Sequence, residues 1–124
     1  MPVRYWIDEG TRVFYQSWSG HISASEVLEF SAVAKTFVAK DSLVDLTEVT
    51  STDITPAYLR AFASEPTDRR RIAIVATKPA RFGMARMFES IAGLKETPTK
   101  IGVFWTREEA VDWLRGGQTL SMRG

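Results

Sequence analysis

The sequence predicts an α/β domain with a small mixed, mostly parallel sheet, an N-terminal hairpin and helices mainly on one face. Three observations carry this. Residues 3–18 are rich in β-formers and broken once, at Glu9-Gly10, which reads as a hairpin. Three strand–helix alternations follow, and such alternations imply parallel strands joined by right-handed crossovers. Arg71 to Thr77 (RIAIVAT) is apolar on both alternating faces, the mark of a strand buried on two sides.

Taken in order, Val3 to Asp8 and Arg12 to Trp18 form the hairpin, which Ser17 and Ser19-Gly20 end. Ser23 or Ser25 caps the first helix, and Glu26 lies three residues after Ser23, as a capping box requires. Val27, Phe30, Val33, Ala34, Phe37 and Val38 follow helical spacing. Leu43 to Leu46 is a short strand. Thr55 caps the second helix, with Pro56 at the first position, where its missing N–H costs nothing. Leu59, Phe62 and Ala63 make that helix's apolar face. After RIAIVAT, Pro79 opens a third helix lined by Met84, Ala85, Phe88, Ile91 and Ala92 and ended by Gly93. Lys100 to Trp105 is the last strand. Thr106 caps a final helix with Ala110, Val111 and Leu114 inward. The order is β-β-α-β-α-β-α-β-α. One domain is expected over residues 1–115, with 116–124 a frayed tail.

Composition narrows the function. The 124 residues fit one domain, large enough for a core without staples. The absence of cysteine removes disulfides, thiolate metal sites, iron–sulfur clusters and cysteine nucleophiles, and the single histidine leaves no histidine-rich metal site. No metal or cofactor is expected. A formal charge of +1 gives no global field for nucleic acid or an anionic membrane. Arg4, Asp8 and Glu9 stand where a signal peptide would be apolar, and no run approaches the ~18 residues of a membrane helix. A cytoplasmic protein without membrane insertion is the expectation.

The chain resembles the STAS fold of the anti-sigma-factor antagonists. The most specific stretch is Leu43-Val44-Asp45-Leu46-Thr47-Glu48-Val49-Thr50-Ser51-Thr52-Asp53-Ile54-Thr55-Pro56. Asp45, Leu46, Val49 and Asp53 fall in register with the family's Asp-Leu-Ser-x-Val and Asp-Ser-Ser-Gly-Leu segments. The C-terminal half looks like the SpoIIAA-like branch, related to the CRAL-TRIO lipid-binding domains. The segments that carry this are Arg71-Ile72-Ala73-Ile74-Val75, residues 82–88 (FGMARMF), Val103-Phe104 and residues 108–114 (EEAVDWL). The resemblance covers residues 3 to 114. It implies a switch serine, phosphorylated by a partner kinase, directly after the motif aspartate. Here that residue is Ile54, which has no hydroxyl, and Thr55 next to it is committed as a helix cap. The resemblance also implies helices on one sheet face. The other face is apolar as well, so if it lacks a helix layer, a second subunit, the hairpin or an apolar ligand is expected to cover it.

No catalytic residue is expected. The candidates for contact with a ligand or partner are Asp53, Thr55, Thr77, Lys78, Phe82, Arg86 and Trp105. Asp53 and Thr55 can accept a ligand, or serve only the loop and the helix cap. Thr77 and Lys78 lie where the fourth strand meets its helix, outside the carboxyl strand ends that ligands of open α/β sheets favour. Lys78 and Arg81 suit an anion there, yet no Gly-rich loop accompanies them. Phe82 and Arg86 fall opposite the inner stripe of the third helix, a composition enriched at protein contacts, unless Phe82 folds against a neighbouring loop. Trp105 ends a strand, where a pocket or subunit seam can use it. Asp45, in an apolar strand, needs a partner and is best read as satisfied by backbone N–H groups. Arg69-Arg70-Arg71 reads as a solvated loop. Among the four tryptophans, core packing with a paired indole N–H is favoured.

These readings converge on a non-catalytic module acting by protein–protein contact, without the usual phosphoserine switch. Its expected partner is a second copy of itself, or another regulatory protein. A carrier or sensor of a small apolar or lipid-like ligand is the alternative. A hydrolase using His21, with Ser19, Ser23 or Ser25 as nucleophile, is the remote one, since no nucleophile-elbow motif is present.

Overall fold

The computed structural model describes residues 2–65, 67–94 and 99–116. The elements run β1 (Val3–Asp8), β2 (Val13–Ile22), α1 (Ala24–Ala34), β3 (Asp41–Thr52), α2 (Pro56–Ser64), β4 (Arg71–Val75), α3 (Pro79–Gly93), β5 (Lys100–Phe104) and α4 (Arg107–Leu114). This is the expected order. One five-stranded sheet is ordered β1-β2-β3-β4-β5. The β1–β2 pair is antiparallel and the other three pairs are parallel.

Strand order that follows chain order explains the layering. Each crossover moves one strand in the same direction, so right-handed connections place α1, α2 and α3 on one face. Phe30 of α1 and Ala85 of α3 belong to the core on that face, with Phe14, Trp18, Val49 and Ile74 beneath them. The α2 helix packs against α3. No crossover constrains α4, and its Ala110 and Leu114 cover Leu43, Ala73, Val75 and Phe104 on the opposite face. The alternation expected in RIAIVAT is the observed one, with Ile74 and Ala76 on the first face and Ala73 and Val75 on the second.

The caps explain where helices begin. Ser23 and Glu26 form a capping box on α1, and Thr106 and Glu109 form one on α4. Gly102 marks a close approach in β5. A Cβ there would lie 2.9 Å from the Phe104 ring and 3.3 Å from Trp113, so any other residue would have to push these rings aside where α4 settles on this edge.

Several boundaries differ from the sequence reading. The Ser17 to Gly20 stretch does not end β2. Register shifts between Ser17 and Ser19 and between Gly20 and His21 absorb it, with Gly20 at φ 72°, and pairing continues to Ile22. The strand expected over Leu43–Leu46 runs from Asp41 to Thr52. Its pairing with β4 stops at Asp45, whereas its pairing with β2 continues to Thr52. The far half is a two-stranded arm whose polar residues hide it from a hydrophobicity pattern. Gly93 is the last residue of α3 and not left-handed, with Leu94 as the C-cap. Val38 leaves the α1 stripe because the helix ends at Ala34, and it is 79% exposed. Of the expected tail, Gly116 closes α4 at φ 83°, and residues 117–124 lie outside the described residues.

Arg69 is a further correction. It is no solvated loop residue but 6% exposed. Its Nε donates to Ser42 Oγ at 2.8 Å, and its terminal nitrogens donate to Ala39 O at 3.3 Å and Ala34 O at 3.1 Å. One guanidinium thus ties the end of α1 to the start of β3. Its fixed fork suits these three acceptors as an ammonium would not.

Candidate functional site

The carboxyl ends of the parallel strands gather most of the residues singled out from sequence. Asp53 follows β3, and its Oδ1 accepts from the Ala24 N–H at 2.8 Å, holding the start of α1. Thr55 caps α2, accepting from Tyr58 N at 3.4 Å. Ile54 between them is half-buried against the core. Lys78 is at the N-cap of α3 without a capping side-chain bond, and its Nζ reaches Val49 O at 3.5 Å. Arg81 donates to Thr50 O, while its Nε is buried without a partner among the described residues. The two cations that suited an anion are therefore turned onto the backbone of the β3 arm. Thr77 is exposed beside them.

Phe82 and Trp105 make the central feature. Their rings stack at 3.9 Å between centroids and 5° between planes. Phe82 is half-buried and packs against the core, so it does not project alone into solvent as its helical phase implied. Trp105 is 46% exposed. Arg86, one turn along α3, pairs with Glu89 at 2.9 Å. Sequence spacing could not bring Phe82 to Trp105, because they meet only when β5 lies beside α3.

Two polar pairs complete this end of the fold. Asp45 Oδ1 accepts from Thr47 N at 2.9 Å, the backbone partner expected for it, and Oδ2 accepts from Arg107 at 2.6 Å. Burial pushes the Asp45 carboxyl up. Hydrogen bonds from the Thr47 backbone and side chain, then the Arg107 bond and charge, outweigh it, and the carboxyl titrates below its ordinary 3.8. A depressed native value contributes stability above the unfolded pKa that is lost as pH falls through the native one. Arg107→Gln is thus expected to cost about 1 kcal/mol near neutrality, since Arg107 is 44% exposed and solvent screens the pair. It also narrows the stability gap between about pH 7 and pH 3, because Asp45 then titrates closer to its unfolded value. Urea unfolding at the two pH values measures both effects.

His21 lies on β2, past the point where Ser19-Gly20 was expected to end the hairpin, and its Nδ1 lies 2.7 Å from Ser51 Oγ. That serine is thirty residues from the histidine, and none of the serines expected beside His21 in sequence is its partner. Among the described residues, no cluster of three or more histidine or carboxylate side chains is placed to hold a metal ion, and no helix is long and apolar enough to cross a membrane.

The sheet order and its two helical layers define a SpoIIAA-like fold of the STAS type. Among solved structures, the chain is similar to an uncharacterized protein of the DUF3478 family with a SpoIIAA-like fold from Shewanella loihica PV-4. The TM-score is 0.59 at 16% identity, over 90% of this chain and 91% of that one. No family model and no curated protein matches the chain.

Proposed function

We propose that this SpoIIAA-like domain is a non-catalytic binding module that works by protein–protein contact at the carboxyl end of its parallel strands. The observation that carries the reading is the half-exposed Phe82–Trp105 stack, with the Arg86–Glu89 pair one turn away. A rigid aromatic slab beside an arginine is the composition that concentrates binding energy at interface centres. The module works without a phosphoserine switch. Ile54 has no hydroxyl and packs inward, and the Thr55 hydroxyl is used on the α2 backbone. The first occupant is a second copy of the chain.

Trp105 is the cleaner probe, because Phe82 also supports the core. Sedimentation equilibrium is expected to show a reversible dimer. Trp105→Ala should weaken it at least about tenfold, as truncating a central tryptophan does, with little change in thermal unfolding. A chain monomeric at every concentration contradicts self-association. Monomer together with co-purifying lipid favours the carrier reading instead. Stoichiometric phosphate on Thr55 after exposure to a partner kinase overturns the switchless reading.

A further inference from the structure

A recess of about 460 Å3 lies at the opposite end of the sheet, where β2, β3 and β4 begin and α4 ends. Small-molecule sites span about 300–1,000 Å3. The wall carries four cations, Lys40, Arg70, Arg71 and Arg115, against the carboxylates of Asp8 and Asp41. The pairing leaves an excess. Arg70 takes Asp41 at 3.3 Å, and Asp8 accepts from the Gly10 N–H of its own turn. Arg71 donates to Trp113 O and lies 5.2 Å over the Trp113 ring, where it offsets the negative end of α4. Lys40 and Arg115 make no ion pair among the described residues.

Tyr15 shares this wall. Burial raises its hydroxyl above 10.0 and Asp8 adds to that, against a smaller pull from Arg107 and Arg115. The hydroxyl therefore remains protonated at neutral pH and able to donate. Trp6 stacks on Tyr15, with centroids 5.3 Å apart and planes 2° apart, and is 42% exposed. Tyr15 packs at the edge of the core that α4 covers. A cationic wall with low-dielectric sides concentrates anions.

We propose that the recess binds a small organic anion, phosphorylated or carboxylated, with its acidic group on Lys40, Arg71 and Arg115 and its body against Tyr15 and Trp6. Arg71 and the Gly116 N–H, at 3.0 Å, already occupy the Trp113 carbonyl, which otherwise faces an anion unfavourably. The test is a titration of the 15N-labelled chain with inorganic phosphate and, separately, with citrate. Sodium chloride at matched ionic strength is the reference, because exposed charges are screened. Saturable amide shifts at Thr11, Tyr15 and Gly116 are expected with at least one probe. The Lys40→Gln/Arg115→Gln double variant should keep a dispersed spectrum and bind at least about tenfold more weakly, since charge-assisted bonds are lost. A phosphate response and a citrate response distinguish the two anion classes. Shifts that follow ionic strength alone, or saturation unchanged in the double variant, overturn the proposal.

Discussion

Arg69→Ala is expected to destabilise the domain by about 2–5 kcal/mol, because it leaves buried neutral acceptors without their donor. The substitution deletes a side chain that is 6% exposed and takes the donor from Ala39 O and Ser42 Oγ, while Ala34 O keeps the Phe37 N–H. Each buried polar group left without a partner costs about 1–3 kcal/mol. The whole stability of such a domain is about 5–15 kcal/mol, so Arg69→Ala approaches unfolding at 37 °C. Arg69→Lys should recover only part of the loss, because one ammonium cannot reproduce the planar fork. A control needs an ion pair exposed on both sides. Arg70 is itself unsuitable, because its partner Asp41 is buried; Lys35→Ala serves instead, since Lys35 and its partner Glu65 are 51% and 39% exposed and the loss should be smaller by several-fold. Urea denaturation of the three variants measures the contrast. Equal midpoints for Arg69→Ala and Lys35→Ala would restore the solvated-loop reading.

Phe14→Ala should by itself cost about 3–5 kcal/mol, the usual loss for a buried phenylalanine. Phe14 is 0% exposed and central to the aromatic core. Its ring stacks with Phe37 at 4.9 Å and Phe30 at 6.2 Å, and meets Tyr5 at 6.1 Å. Truncation removes the floor on which α1 rests. Arg69 also lies over this ring, its guanidinium carbon 5.5 Å from the centroid. The two losses should therefore not add: coupling of about 0.5–3 kcal/mol is expected for residues in contact. A double-mutant cycle by calorimetry or urea unfolding reads this. Strict additivity would separate the aromatic core from the Arg69 network.

Much of the fold was legible because it is written locally. Ser23, Thr55 and Thr106 each accept from the backbone N–H three residues on, and a cap needs only that spacing. The two sides of RIAIVAT were readable because a strand alternates with period two. What escaped depends on chain segments meeting. The arm beyond Asp45 has no apolar alternation because, among the described residues, β2 is its only strand neighbour there, so its pattern resembles a loop. Arg69 looked like one of three solvated arginines, yet the first alone enters the crevice between α1 and β3. His21 finds Ser51 only because the bulges in β2 set that register.

The candidate site divides in the same way. Asp53 and Thr55 were recognisable as loop and cap residues from their own neighbourhoods. Phe82 was assigned to the outer side of its helix from phase, but phase says nothing of Trp105 at the end of the neighbouring strand. The charged recess has no sequence signature, since its wall comes from the hairpin, the residues around the starts of β3 and β4 and the end of α4.

The most direct test of contact at the carboxyl strand ends uses the absence of native cysteine, which lets one introduced thiol carry the only spin label. Ala80 is exposed at the start of α3 beside the aromatic pair, and Glu9 is exposed in the hairpin turn at the other end. Dipolar distances between copies are compared for labelled Ala80→Cys and Glu9→Cys chains. Two copies meeting at Phe82 and Trp105 predict a shorter distance for Ala80→Cys, abolished by adding Trp105→Ala. No dipolar signal in either chain, or a shorter distance for Glu9→Cys, would contradict it.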